Sequence, residues 1–358
     1  MIEASHLNAG ATNLVEKCAK LVRGESVLVV REDPTLGWYD SAAPQATIKI
    51  IRELGIEPSI IEVGGPQNKI DPVLIDAVRR HDCTIFFARI GDQDRFAEPP
   101  PGCRSVMVYS RDAGSLASAY GRTDHRAMVE VKRLVNELCA GAETIHITCP
   151  LGTEMKGHPA VDSAEQMADV SVARFPLAVP APVIASGFTG RVALSNYLTT
   201  TGSMPYEPAA IPIDDVVFAE VSAGRITRFT GPSQTVERIE RHYDHVAELF
   251  QLDRDNVHSW HAGIHPACAY LDKISDDPDR WSNNIFANPR FLHFHTCGDY
   301  APGEICWMVL DPTISLDGVN LWENGKLCLS NFESAARQIE KWPELHQLLA
   351  NPETRIGL

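Results

Sequence analysis

Residues 26–63 read SVLVVREDPTLGWYDSAAPQATIKIIRELGIEPSIIEV, and this stretch decides the fold. It opens on SVLVVRE (26–32), a β-branched apolar run of the kind that forms a buried strand. An amphipathic period follows over 42–54 and is closed by Gly55, and the run PSIIEV (58–63) comes next. Strand, helix and strand at this spacing make a βαβ unit, which joins parallel strands.

The alternation continues outward to about residue 150. Asp71-Pro72 offers an N-cap and a first-turn proline to the helix PVLIDAVRRHD (72–82). The strands CTIFFAR (83–89) and SVMVYS (105–110) follow, then the helix RAMVEVKRLVNELCAGA (126–142) and the strand TIHITCP (144–150). The fold class expected is α/β, with an N-terminal doubly wound, mostly parallel sheet over 1–142 and a C-terminal α+β metal-binding domain over 143–358. No G-x-G-x-x-G follows the first strand and no G-x-x-x-x-G-K-[ST] occurs, so the first domain lacks the usual phosphate cradles. The proline-rich IGDQDRFAEPPPGC (90–103) reads as a rigid exposed connection.

Beyond residue 150 the texture turns antiparallel. VVFAEVSAGRITRFTG (216–231) reads as a hairpin turning at Ala223-Gly224, and VNLWENGKLCL (319–329) as a hairpin with a type I′ turn at Asn324-Gly325. The helix QTVERIERHYDHVAELFQLD (234–253) lies between them, and ESAARQIEKWPELHQLLA (333–350) is the last helical stretch.

Composition narrows the function. The chain has 358 residues, enough for two cores, and is 44% hydrophobic and 22% charged, which suits a globular protein rather than a disordered one. A net charge of −15 without a basic stripe argues against nucleic acid and against an anionic membrane surface. The N-terminus shows no signal-peptide pattern, and the nine scattered cysteines contain no C-x-x-C pair; both features lead to the expectation of a cytoplasmic protein with reduced thiols. A homo-oligomer is also expected.

The chemistry concentrates in three segments: VHSWHAGIHPACAY (257–270), FLHFHTCGDY (291–300) and CWMVLD (306–311). His293 and His295 lie two apart in a strand pattern, so both project to one face, where burial without partners would be costly and a metal ion would use them. Two histidines and a carboxylate from neighbouring elements describe the facial triad that leaves open positions on Fe(II), and the same donors hold Zn(II).

These segments resemble those of the 2,5-dihydroxypyridine 5,6-dioxygenases and the wider group often labelled leucyl aminopeptidase, related in fold to thermophilic metallo-aminopeptidases. SWHAGIHP (259–266) resembles the family's first ligand element at His261, and FLHFHTCG (291–298) its second, with His295 where the family usually has serine. VLD (309–311) resembles its His-x-Asp, with Val309 in place of the histidine and Asp311 retained. The resemblance implies a metal set of His261, His295 and Asp311, with Fe(II), or alternatively Zn(II), as cofactor. It implies a dioxygenase that cleaves a hydroxylated aromatic or N-heterocyclic ring with O₂. The alternative is a mononuclear metallohydrolase acting on an amide, with a carboxylate such as Glu304 as base. His265, His293 and Tyr300 are the expected catalytic groups, and His258 is a further acid/base candidate.

Overall fold

A computed structural model describes residues 2–66, 70–93, 101–159, 170, 172–200, 206–298 and 305–358. The chain forms two compact units, Met1–Val129 with Ala168–Ala178, and Glu130–Met167 with Val179–Leu358.

In the first unit β1 (Val27–Glu32), β2 (Ser59–Val63), β3 (Cys83–Phe87), β4 (Arg104–Val108) and the later β7 (Ala173–Phe175) form a parallel sheet in the order β2-β1-β3-β4-β7. β1 is an inner strand between β2 and β3, and its Leu28, Val29 and Val30 are fully buried, as its unbroken apolar run requires. The chain runs from β1 to β2 on one side and then back to β3 on the other. Right-handed crossovers at both steps place the helices on opposite faces, the doubly wound arrangement. The helix Ala42–Glu53 stops before Gly55, whose φ of +79° suits a residue without Cβ. The helix Pro72–Arg79 starts where Asp71 accepts a hydrogen bond from the Val73 amide at 2.8 Å.

One strand of the alternation read up to about residue 150 pairs outside the parallel sheet. β5 (Ile145–Thr148) belongs to the second unit and pairs antiparallel with β6 (Glu154–Gly157) and β15 (Thr313–Leu316). Its burial alternates, with Ile145 and Ile147 buried and His146 and Thr148 partly exposed, which is the period-2 mark of a strand covered on one side. β7 fills the place that a contiguous βαβ reading assigns to it.

The second unit is built on a 12-stranded sheet. Its main path runs β17 (Lys326–Leu327), β16 (Val319–Glu323), β15, β5, β6, β9 (Thr189–Thr200), β14 (Ile305–Leu310), β13 (Phe291–Thr296), β12 (Val257–Ala262) and β8 (Val183–Ile184). β10 (Ala210–Ser222) branches from β9 and carries β11 (Arg225–Thr230). Both expected hairpins form, and each has two left-handed turn residues, Ala223 and Gly224 at φ +48° and +71°, and Asn324 and Gly325 at φ +48° and +74°. The helix Ser233–Phe250 buries Thr235, Ile239, His242, Tyr243 and Val246, one stripe at helical spacing. Tyr243 from that stripe bonds Thr296 on β13 and the Trp307 indole on β14, which fastens the helix to the sheet.

Candidate metal centre

β13 lies between β12 and β14, antiparallel to both, and the register sets the site. His261 on β12 opposes His293 on β13, and His295 is opposed by Ser259 on one side and Cys306 on the other. Opposed residues of antiparallel strands project to the same face, so the three histidines share one face with Ser259, Cys306 and Met308. Trp260, Leu292, Phe294, Trp307 and Val309 take the other face, and Phe294 packs against Trp307 in a tilted arrangement with 5.8 Å between centroids. The alternation that buries the aromatic residues on one side is what lines up the imidazoles on the other.

Those imidazoles converge. His261 Nε2 lies 2.6 Å from His293 Nε2 and 3.2 Å from His295 Nε2, and the donor atoms of all three residues fall within 4.8 Å of one another. Three nitrogens bound tetrahedrally at 2.0–2.1 Å from one ion sit about 3.3 Å apart, so the spacing is on the scale of a single metal. His261 Nδ1 lies 3.1 Å from the Pro180 carbonyl oxygen, which can only accept. Nδ1 therefore carries the proton and the Nε2 lone pair faces the cluster, the outer hydrogen bond typical of metal-binding histidine. His261 and His293 are 5% and 6% exposed, His295 is half-buried, and the Phe291 and Phe286 rings lie 5.6 and 6.5 Å from the His293 ring. Donor type, convergence, tautomer and burial all fit a divalent ion held by three neutral imidazoles, and the group could hold a metal.

His261 and His295, two members of the ligand set expected from the motifs, stand in this group, with His293 beside them. Asp311 is placed differently. Its carboxylate takes two hydrogen bonds from Arg290, at 2.5 and 2.8 Å, and its amide donates to the Arg290 carbonyl. Asp311 opposes Arg290 just beyond the β13–β14 ladder, three residues or about 10 Å along the strand from the level of His293. The Arg290 ion pair thus holds Asp311 beyond the end of the ladder, away from the cluster, and Val309 projects to the face opposite the histidines.

The other candidates are distributed around the strand ends. His265 is fully buried in the turn after β12, where its Nδ1 accepts the Ala267 amide at 3.3 Å. His258 is half-buried at the start of β12 with Nδ1 2.9 Å from the Ser259 hydroxyl. Tyr300, Glu304 and the 94–100 part of the proline-rich connection lie outside the described residues. His293 carried a usable signal as a ligand, its period-2 spacing from His295, but its nearness to His261 follows only from the register.

No family model and no curated protein sequence matches the chain. Solved structures do. Over 91% of this chain and 98% of the other, it is similar to 2,5-dihydroxypyridine dioxygenase from Pseudomonas putida KT2440, with a TM-score of 0.59 and 11% identity. The fold is shared with that dioxygenase. It is also similar to wild-type AmpT from Thermus thermophilus, a thermophilic aminopeptidase, with a TM-score of 0.54 and 11% identity over 90% of this chain and 99% of that one. The fold relation implied by the three motifs is therefore present along nearly the whole chain. Among the described residues no helix is long and apolar enough to cross a membrane.

Proposed function

We propose that this chain is a mononuclear metal enzyme in which His261, His293 and His295 hold Fe(II), and that it is a dioxygenase cleaving the ring of a hydroxylated aromatic or N-heterocyclic compound. The observation that carries the reading is the convergence of three imidazoles at single-ion spacing in a largely buried site. When bound, such an ion supplies a Lewis-acid centre that acidifies a coordinated hydroxyl and templates substrate beside O₂. The chain's own groups do the rest. Three neutral ligands leave the charge of a divalent ion uncompensated, which favours a substrate arriving as an oxyanion, as an acidified ring hydroxyl does. The Pro180 carbonyl holds His261 in the tautomer that presents Nε2, and Phe286 and Phe291 limit water beside His293.

A second reading, a mononuclear metallohydrolase acting on an amide, is favoured by the same three-imidazole set, which is also a zinc set that lowers the pKa of bound water to about 7. It needs a general base, and Glu304, the carboxylate that the motifs offer, lies outside the described residues. The dioxygenase is preferred because three neutral ligands suit a substrate that arrives as an oxyanion.

Anaerobic purification with metal analysis, followed by oxygen uptake with dihydroxypyridines and aminophenols and by amide hydrolysis with aminoacyl anilides, tests both. Iron with oxygen uptake and loss of the ring chromophore is expected. Zinc with amide turnover transfers the conclusion to the hydrolase, and a protein that binds neither metal removes both readings.

A further inference from the structure

The parallel sheet of the first unit ends on β2, whose outer side is open. The Asp33 amide, next after β1, donates to the Val63 carbonyl at 2.9 Å. Backbone groups alternate in direction along a strand, so Ser59, Ile61 and Val63 bond to β1, and Ile60 and Glu62 turn their amides and carbonyls outward. Among the described residues nothing pairs with that outer side. Such an edge templates the addition of another strand unless lysine, proline or a bulge blunts it, and SIIEV (59–63) has none of these. Ile60 is 39% exposed, and the side chain of Glu62 is 74% exposed.

A groove of about 470 Å³ runs beside this edge, between Ile60 and the helix Ala42–Glu53. Arg31, Lys49 and Arg52 line it with one carboxylate, Glu53, which makes a locally basic surface on a chain of net charge −15. That surface suits a strand with an exposed acidic side chain, and β2 is itself such a strand.

We propose that β2 pairs antiparallel with β2 of a second copy of this chain, about a twofold axis normal to the sheet, and joins two five-stranded sheets into one. Such an axis keeps every residue on its own face, so opposed residues have the same parity and the register centres on a residue. Centring on Ile60 would set Pro58, which has no amide proton, against the partner's Glu62, and centring on Glu62 would oppose two like charges. Centring on Ile61 pairs all five residues. Ile60 and the partner's Glu62 then exchange two hydrogen bonds through the outward groups, as do Glu62 and the partner's Ile60. The two Ile61 residues form the closer, non-hydrogen-bonded pair. Ile60 lies on the groove side and Glu62 has its parity, so each Glu62 carboxylate reaches the other copy's basic groove.

The test is sedimentation velocity of the full-length protein over a concentration series, with cysteine cross-linking to read the register. Wild type is expected to dimerise. Ile60→Lys, which adds a cation to the groove and a charge to the edge, should stay monomeric with unchanged metal content, since the histidines belong to the other unit. On mild oxidation Ile61→Cys should form a covalent dimer that wild type does not, and so should Ser59→Cys combined with Val63→Cys. Ser59→Cys alone should not, because the two copies of that position lie four residues apart, about 13 Å along the strands. If Ile61→Cys does not fold, the combined variant still reads the register. A monomeric wild type leaves the edge to a foreign strand and overturns the proposal. So does a dimer that Ile60→Lys leaves intact, or cross-linking of Ser59→Cys alone to the extent seen in the combined variant.

Discussion

His293 and Asp311 carry opposite lessons at the scale of single residues. Each sits among the three quoted motifs, and position along the ladder decides which one meets His261. His293 opposes His261 directly, whereas Asp311 lies just past the end of β14 and is held by Arg290. If the cluster is the metal site, His261→Ala, His293→Ala and His295→Ala should each lower metal affinity by more than about 100-fold, since even residues behind the ligands are worth 10- to 100-fold. Asp311→Asn should bind metal as wild type does and lose stability instead, about 1 to 3 kcal/mol for charge-assisted hydrogen bonds to Arg290. Metal titration alongside urea denaturation of the four variants separates the two effects. Metal loss in Asp311→Asn with full retention in His293→Ala would return the carboxylate to the ligand set.

At the scale of elements, the β16–β17 hairpin supports the same ion pair. A Cβ added to Gly325 would meet Asp311 Oδ1 at 2.8 Å and the Arg290 Cα at 2.9 Å, and the residue has a φ of +74°. Gly325→Ala therefore meets both a left-handed backbone and an occupied space, and is expected to cost at least ~1 kcal/mol in chemical denaturation. Metal content should not change, because the ion pair lies beyond the ladder, about 10 Å along the strand from the level of His293. The turn itself was legible, since Asn-Gly between two alternating runs leaves few other conformations. Asp71-Pro72 and Gly55 were legible for the same reason, because proline and positive-φ glycine act locally. The destination of TIHITCP was harder to read. Its alternation indicates one-sided burial, but its two partners are β6, the next strand, and β15, more than 160 residues later, so which sheet it joins is only partly a local matter.

Over the whole molecule, each unit buries a histidine that the fold keeps neutral. Burial is the main cause that holds His125 in the first unit and His242 in the second down to about 4 from an ordinary 6.5. Lys20 adds to this at His125 against the opposing pull of Asp124, and His245 adds to it at His242. Between pH 6.5 and 4 the unfolded chain takes up protons at these sites and the folded chain does not, so stability should fall as pH drops through that window. Urea midpoints at pH 7, 5.5 and 4.5 check the slope, and His242→Gln should flatten it; an unchanged slope in the variant removes His242 as a cause. The sequence alone determined the two-part α/β architecture, the hairpin turns and the two segments that supply the histidine cluster, because periodicity, β-branching and turn residues act over a few positions. It also determined that His293 and His295 share a face, since the pleat has a period of two. Tertiary structure alone decided that β12 pairs with β13 in the register that opposes His261 to His293, and that Asp311 meets Arg290. Strand register is a relation between distant segments, set by burying Trp260, Phe294 and Trp307 on one side of the sheet, and no local pattern in either segment contains it.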